Sequence, residues 1–346
     1  MNESTVKKRT PVKRWIVIGL ILIGIYAAFI GPSILKPIYP NVVLPAEPTG
    51  LSIFGFQITN TILATLLADI LLLLIAFIAL RFVNSGKLIP DGFYNAFEAI
   101  IEFLWNSVEG SAGKWAKRIF PIVGTIFLLI FVANLVKLVP GFESIGRLET
   151  AHRGKAFAPV ALVNIGTLTV YSIDKGKPIP ISTGTTTETS QESSGLCTAC
   201  EVVPFFRGSA TDLNFPIALA VITVLLTQVF GVWAQGGAYF EKFFQFRQLV
   251  SGGFFGVIDF GVGILELILE FAKILSFSFR LFGNIFAGTL LLSIVGALTA
   301  VVVPTGLYLF EVFFGIIQAY VFFLLATVFI SSATVSHHSS EHEEHA

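Results

Sequence analysis

The sequence predicts an all-α integral membrane protein with about six membrane helices, the last two long and tilted as a hairpin, plus one amphipathic surface helix and a polar external insert. Two observations carry that expectation. Of 346 residues, 54% are hydrophobic and only 13% charged, with a mean hydropathy of +0.82, whereas a soluble chain carries roughly 25% charged residues. Several uncharged runs also approach or exceed the ~20 residues that carry a helix across a ~30 Å hydrocarbon core, and a helix satisfies its own backbone groups there. Weak alternation and sparse turn punctuation argue against a barrel. The net charge is zero and the only basic cluster of note is a short N-terminal tail, so nothing points to nucleic acid as a partner.

Residues 1–57 hold an N-terminal helix and an external loop. The run Trp15 to Ile30 follows Lys7, Lys8, Arg9, Lys13 and Arg14 and ends at Gly31-Pro32. It reads as a signal anchor or a cleaved signal peptide, and a retained helix is favoured because no clean small-residue cleavage site follows. The basic flank places its N-terminal end in the cytoplasm. Pro32, Pro37, Pro40, Pro45 and Pro48 then punctuate an outside loop.

Residues 58–141 hold the second and third membrane helices, near Thr61 to Val83 and Ile119 to Val139, with Arg81 and Lys87 marking the inside between them. Residues 91–110 place Phe93, Phe97, Ile100, Ile101 and Leu104 opposite Glu98 and Glu102 at helical spacing, which is the pattern of a surface helix rather than a span. Lys114, Lys117 and Arg118 precede the third span, which stops at Pro140-Gly141.

Residues 142–212 are rich in Ser, Thr and Gly and include short β-branched runs such as Leu168-Thr169-Val170-Tyr171-Ser172. Alternation of sides puts this insert outside as a small hairpin-bearing subdomain. Cys197 and Cys200 stand in it without a second cysteine pair or histidines at zinc spacing, so no metal site is expected. A disulfide in an exported loop and two unpaired thiols both remain open.

Residues 213–335 hold the last three membrane helices. A fourth span near Phe215 to Ala234 leads back inside at Lys242 and Arg247. From Phe254 to Thr299 runs a nearly unbroken helical pattern of more than 40 residues, about twice what a perpendicular span needs. A Pro304-Thr305-Gly306 break and a second long run, Leu307 to about Ser332, follow. The polar tail 336–346 is cytoplasmic by the count of spans.

Within the first long run, Arg280 lies far from either helix end. A guanidinium stays charged, and burying it in a bilayer costs from roughly 3 to above 10 kcal/mol. Ser276, Arg280, Asn284 and Ala287 or Gly288 recur at helical spacing and so share one face, where the small residues admit a neighbouring helix. An arginine that snorkels or pairs silently is the purely structural alternative; about 19 further apolar-patterned residues beyond Arg280 handicap it. Glu311, Gly315 and Gln318 form a second polar stripe. Desolvation favours the neutral form of a buried carboxylate while a nearby cation or water favours the charged one, which suits proton exchange. Glu311 also stands close enough to the helix start to reach an aqueous edge.

The run Phe279-Arg280-Leu281-Phe282-Gly283-Asn284-Ile285-Phe286-Ala287-Gly288 resembles the signature of the a subunit of F-type rotary ATP synthases. Gln318-Ala319-Tyr320-Val321-Phe322 is similar to the matching element of that family's last helix, and Ala133 to Pro140 and Thr211 to Asn214 add two more elements in order. The resemblance covers roughly residues 85–335. It implies a stator subunit of the membrane sector that provides two ion half-channels, with Arg280 as the essential arginine facing the carboxylates of a rotating c-subunit ring. Gln318 would sit beside it, Asn284 would line the same interface, and Asn134, Asp212 and Asn214 would line the outer half-channel. Glu266 matches a position associated with the inner one. Where some members carry a glutamate this chain has Thr289, and where they carry a histidine it has Glu311, so Glu311 is the expected outer relay group. Lys137 and the cysteine-bearing insert are further departures.

The resemblance also implies the peripheral-stalk b subunits, the remainder of the ATP synthase and membrane lipid as partners, a multi-pass location in a bacterial plasma membrane, and no cofactor or independent catalytic site. No GxxxxGK[ST] phosphate loop occurs in the chain. Two other classes compete. A secondary transporter binding an anion through Arg280 would call for inverted repeats and paired broken helices, and neither is seen; an intramembrane hydrolase would need a base beside its serines, and no intramembrane histidine offers one.

Overall fold

The computed structural model describes residues 12–29, 45–53, 55–84, 93–139, 141–143, 145–151, 155–165, 168–180, 197, 199–243, 253–298 and 302–335. It is mostly helical: α1 (Val12–Phe29), α2 (Asn60–Val83), α3 (Phe93–Ala112), α4 (Ala116–Val136), α5 (Asn214–Gln235), α6 (Gly253–Leu298) and α7 (Val302–Thr334). Among the described residues, four helical stretches are long and apolar enough to cross a membrane: Asn60–Val83, Tyr94–Val136, Asn214–Phe240 and Val303–Thr334. The protein is therefore an α-helical, multi-pass membrane protein, as its hydropathy predicts. The tail 336–346 and Arg247 lie outside the described residues.

The helices divide between two compact units. One is made of the described parts of residues 1–44, 143–205 and 287–311, the other of 45–142, 206–286 and 312–346. In the second unit, Leu104 and Val108 of α3, Ile119, Val123 and Ile130 of α4, Leu219 and Ala220 of α5, Phe277, Leu281 and Ile285 of α6, and Phe322, Phe323 and Ala326 of α7 form one continuous core. Phe277 packs against Phe322 with ring centroids 4.7 Å apart and edge-on to Phe329 at 5.7 Å, the offset geometries aromatic quadrupoles favour. Ala64 and Ala68 turn the inner face of α2 into a smooth strip, and Ala68 meets Val132 and Ala133 of α4. Small residues let helix backbones approach where lipid supplies no hydrophobic drive to association.

The α3–α4 path is helical throughout except for one 3-10 turn, Gly113–Trp115, which opens on Gly113 at φ +48°. Only glycine adopts such a backbone without strain. Just beyond it, Arg118 lies over the rings of Trp115 and Trp233, 5.1 and 4.5 Å from their centroids. A cation stacked on paired indoles is the arrangement expected of a helix anchored at a membrane–water boundary.

Two features depart from the sequence reading. Residues 45–59 are not plain loop: β1 (Pro48–Ile53) and β2 (Phe56–Thr59) form an antiparallel hairpin turned at Gly55, φ +83°. Prolines hide such a strand in a sequence because Pro48 opens it rather than interrupting it. The break at Pro304-Thr305-Gly306 does not delay the last helix either. α7 begins at Val302, so Pro304 falls in the first turn, where backbone N–H groups have no intrahelical partner and a missing one costs nothing.

In the first unit the insert folds as a four-stranded antiparallel sheet, β3 (Gly146–Thr150), β4 (Lys155–Ile165), β5 (Leu168–Pro180) and β6 (Cys200–Pro204), ordered β3-β6-β4-β5. The hairpin expected around Leu168 to Ser172 is β4–β5, closed by Ile165 opposite Leu168. Cys197 and Cys200 are joined by a disulfide at the start of β6.

Gly231 of α5 is held to glycine by packing. An added Cβ would stand 2.3 Å from the ring of Tyr239, which is buried and donates its hydroxyl to Gln228 Oε1 at 2.9 Å. Gly231→Ala is expected to destabilise the protein by about 1–3 kcal/mol through overpacking, read as a lower melting temperature in detergent. In a Tyr239→Ala background the same substitution should add little, the non-additivity expected of direct contact.

Candidate functional site

Several polar groupings lie among the described residues of the helical part of the molecule. The first surrounds Arg280. In α6 this residue is half-buried, as are Asn284 and Gly288, one and two turns further on. Leu281 and Ile285, on the adjacent face, are buried in the core. The register therefore holds Arg280 at the border between packed core and open helix surface. Among the described residues Arg280 makes no hydrogen bond or ion pair. An arginine carries five donors and a charge that no reachable pH removes, so its solvation calls for water or for a group beyond the described residues.

The second grouping joins α4 to α7. Asn134, buried at 2% exposure, donates from Nδ2 to the carbonyl oxygen of Gly315 at 3.1 Å. The approach is close: a Cβ at 315 would lie 3.2 Å from that of Asn134. One turn on, Gln318 is buried and its Nε2 has no hydrogen-bond partner among the described residues. An unsatisfied buried donor costs about 1–3 kcal/mol, so a polar atom from elsewhere is the natural occupant of that position.

The third grouping lies where α2 and α5 begin. Asp212, buried at 7% exposure, accepts the backbone N–H of Asn214 at 2.9 Å, the side-chain amide of Asn214 at 3.1 Å and the hydroxyl of Thr61 at 3.3 Å. Those bonds cap the first turn of α5 and tie it to α2. Beside them Asn60, fully buried, receives the backbone N–H of Glu47 at 3.3 Å and donates to the Glu47 carboxylate at 3.2 Å. Arg207 donates to the carbonyl of Pro45 at 3.2 Å. Gly208 leaves room for the aliphatic stem of Lys137, whose Cδ would lie 3.1 Å from an added Cβ. Asn214 itself is exposed, so this knot opens to the surface.

The fourth grouping lies N-terminal to Arg280 on α6. Glu266 is half-buried; one turn on, Glu270 is buried and takes a 2.8 Å ion pair from Lys273. Both carboxylates lie within electrostatic reach of Tyr239, and Lys273 also sits 4.9 Å from the ring centroid of Phe329.

In the other compact unit, Glu311 meets Gly288. A Cβ at 288 would stand 3.0 Å from Glu311 Oε1, so the small residue preceding Thr289 is what lets the carboxylate approach α6. Thr289 and Glu311 are both half-buried.

The structure thus brings Asp212 to Asn214, Asn134 to the stripe of Gln318, and Glu311 to the helix turn that holds Thr289. Sequence reasoning missed Glu47, Asn60, Thr61, Gln228, Tyr239, Glu270 and Lys273. Asn60 and Thr61 read as ordinary helix-start residues, and nothing in the sequence marks their distant partner. Glu270 and Lys273 did carry a signal, two ionisable residues three apart in an apolar helix. Among the described residues no cluster of three or more His, Cys, Asp or Glu could hold a metal ion.

A profile of the family described as ATP synthase A chain matches residues 62–331, well over half of the chain. The chain is similar to the ATP synthase subunit a, sodium ion specific, of Propionigenium modestum, 26% identical over 294 residues, 81% of this chain and 76% of that protein. It is similar to ATP synthase subunit a of Geobacter sulfurreducens, 27% identical over 293 residues, 84% and 93% of the two chains. ATP synthase subunit a of Campylobacter jejuni is 24% identical over 266 residues, 76% and 86%.

Removing the capping carboxylate tests the third grouping. Asp212→Ala is expected to cost about 1–3 kcal/mol because the hydroxyl of Thr61 and the amides of Asn214 lose their shared acceptor. Asp212→Asn keeps one oxygen for the backbone N–H and should cost less. Thermal unfolding in detergent orders the two.

Proposed function

This chain belongs to the ATP synthase A chain family, and from that membership we propose that it provides the two ion half-channels and the essential arginine through which transmembrane ion flow turns a ring of c subunits. Membership makes it a membrane-sector subunit of ATP synthase and not a catalytic unit by itself. The observation that carries the finer reading is Arg280: a permanent cation at mid-length in a long apolar helix, half-buried and with no partner among the described residues.

Such a group is completed by a carboxylate presented from outside. An arriving protonated carboxyl beside a fixed guanidinium is driven to ionise, because the opposite charge favours its anionic form. The proton then leaves by an aqueous path, and the same cation keeps a proton from crossing directly between the two paths. Gln318, with its buried and unsatisfied Nε2, supplies a neutral donor to the same carboxylate. Asn284 lines the facing surface one turn from Arg280.

The two paths follow from the polar groupings. The knot at Asp212 and Asn214, continued by Asn134, lines the outer half-channel, and Glu311 is its relay group beside Thr289. Glu266 lies on the inner half-channel. Each ion that crosses gains about 2.3 kcal/mol per 100 mV and per charge, so several crossings are coupled to each ATP made elsewhere. In this reading α1, α2, α4, α5, α6 and α7 are the six spans, with α6 and α7 as the tilted pair against the ring, α3 lies on the surface, and residues 142–212 face outward. The tail 336–346 is cytoplasmic, in a bacterial plasma membrane. Peripheral-stalk b subunits hold the chain still.

The test is ATP-driven proton pumping in vesicles carrying the assembled complex, at low and high sodium. Arg280→Ala is expected to abolish pumping and ATP synthesis while the complex assembles and the soluble head still hydrolyses ATP. Arg280→Lys should fail too, since a lysine has neither the fork geometry nor a fixed charge. Coupled pumping retained in Arg280→Ala would overturn the reading. Glu311→Gln is expected to slow pumping and Glu311→Asp to preserve most of it.

A further inference from the structure

Seven residues of α-helix fall about 20° short of two full turns, so residues spaced by seven lie nearly in line along α6. Glu266, Lys273 and Arg280 are spaced in this way. Lys273 therefore belongs to the stripe of Arg280, about 10 Å nearer the N-terminal end of the helix, between the arginine and the glutamate assigned to the inner half-channel. A second cation on that stripe would compete with the first. It would favour the ionised form of a passing carboxylate away from Arg280, and it would neutralise Glu266.

The ammonium does not lie along the stripe. Nζ of Lys273 donates to Glu270 Oε1 at 2.8 Å and stands 4.9 Å from the centroid of the Phe329 ring. Phe329 in turn meets Phe277, a buried core residue, with ring centroids 5.7 Å apart. Glu270 lies about 80° around the helix from Arg280, on the side of Phe277 and Leu281, and like them it is buried. The charge of Lys273 is thus drawn onto the packed face of α6, between a carboxylate and an aromatic ring.

We propose that Glu270 is a positioning residue: it keeps the charge of Lys273 on the core side of α6, so that Arg280 and Glu266 act without a second cation between them. The inference rests on the ion-pathway reading given above. Stability alone gives little reason for the pair, since apolar residues of similar size in place of a buried ion pair are often as stable or more so. Its placement gives one. The helical neighbours of Lys273 are residues 269, 270, 276 and 277, of which 269 and 276 are exposed while 270 and 277 are buried. A carboxylate at 269 or 276 would hold the ammonium out on the stripe; the one at 270 takes it inward.

The experiment is ATP-driven proton pumping in vesicles carrying the assembled complex, with ATP hydrolysis by the soluble head and the melting temperature in detergent measured alongside. In Glu270→Gln pumping is expected to fall about tenfold, the order set by one added unit charge about 10 Å from a carboxylate at an effective dielectric constant of about 20, while hydrolysis persists. Glu270→Asp should keep most of the pumping, Lys273→Met should pump as the unaltered protein does, and Glu270→Gln combined with Lys273→Met should recover it. Phe329→Leu weakens the inward hold without removing a charge; it should lose about twofold, again restored by Lys273→Met. Full pumping in Glu270→Gln would overturn the proposal. So would a Glu270→Gln deficit that Lys273→Met leaves in place, which would make Glu270 itself a proton carrier, or a loss in Lys273→Met equal to that in Glu270→Gln, which would make the pair structural only. If Glu270→Gln does not assemble, Phe329→Leu with and without Lys273→Met decides in the same way. Arg280→Ala, run in parallel, separates the two claims: coupled pumping there removes the reading beneath, while its loss together with full pumping in Glu270→Gln removes only the role of Glu270.

Discussion

A guanidinium in a membrane helix has to be solvated, and much of the architecture follows from the fact that no partner for it stands among the described residues. Arg280 sits at the edge of the packed surface of α6, with Leu281 and Ile285 anchored in the core and Asn284 and Gly288 continuing its own stripe. Were it buried one position round the helix it would need an internal carboxylate, and the pair would be a silent structural element of disputed benefit. Left at the border, its charge is available to whatever passes. The cost of keeping it there, several kcal/mol on any scale, is what makes an incidental arginine a poor explanation.

The neighbouring helices are shaped by the same constraint. Gly315 lets Asn134 reach a backbone carbonyl, Gly288 lets Glu311 approach α6, and Ala64 and Ala68 thin α2. In a membrane, polar side chains are placed where backbones come close, because small residues provide the space and lipid provides no alternative partner.

The helices were legible because hydropathy and length report a membrane directly: the long run that starts near Phe254 is α6 to within a residue or two at each end. The polar stripes of Arg280 and Gln318 were legible from spacing. Contacts between distant segments were not. Thr61 and Asp212 are 151 residues apart, and neither residue type names the other. The packing of Tyr239 on Gly231, the pairing of β6 between β3 and β4 out of sequence order, and Pro304 inside a helix rather than before it all depend on tertiary context. The same holds for the hairpin at residues 48–59, whose Pro48 and preceding Pro45 speak for a loop until the strand register is seen.

The central claim is that the stripe of Arg280 faces the carboxylate-bearing helix of a c subunit. Disulfide cross-linking tests it directly, between Asn284→Cys and a cysteine placed one turn from the ring carboxylate, in the assembled complex under oxidation. The account predicts a reducible a–c product from Asn284→Cys and none from Leu275→Cys, which is exposed on another face of α6. A product from Leu275→Cys alone would contradict it, because Arg280 would then point away from the ring.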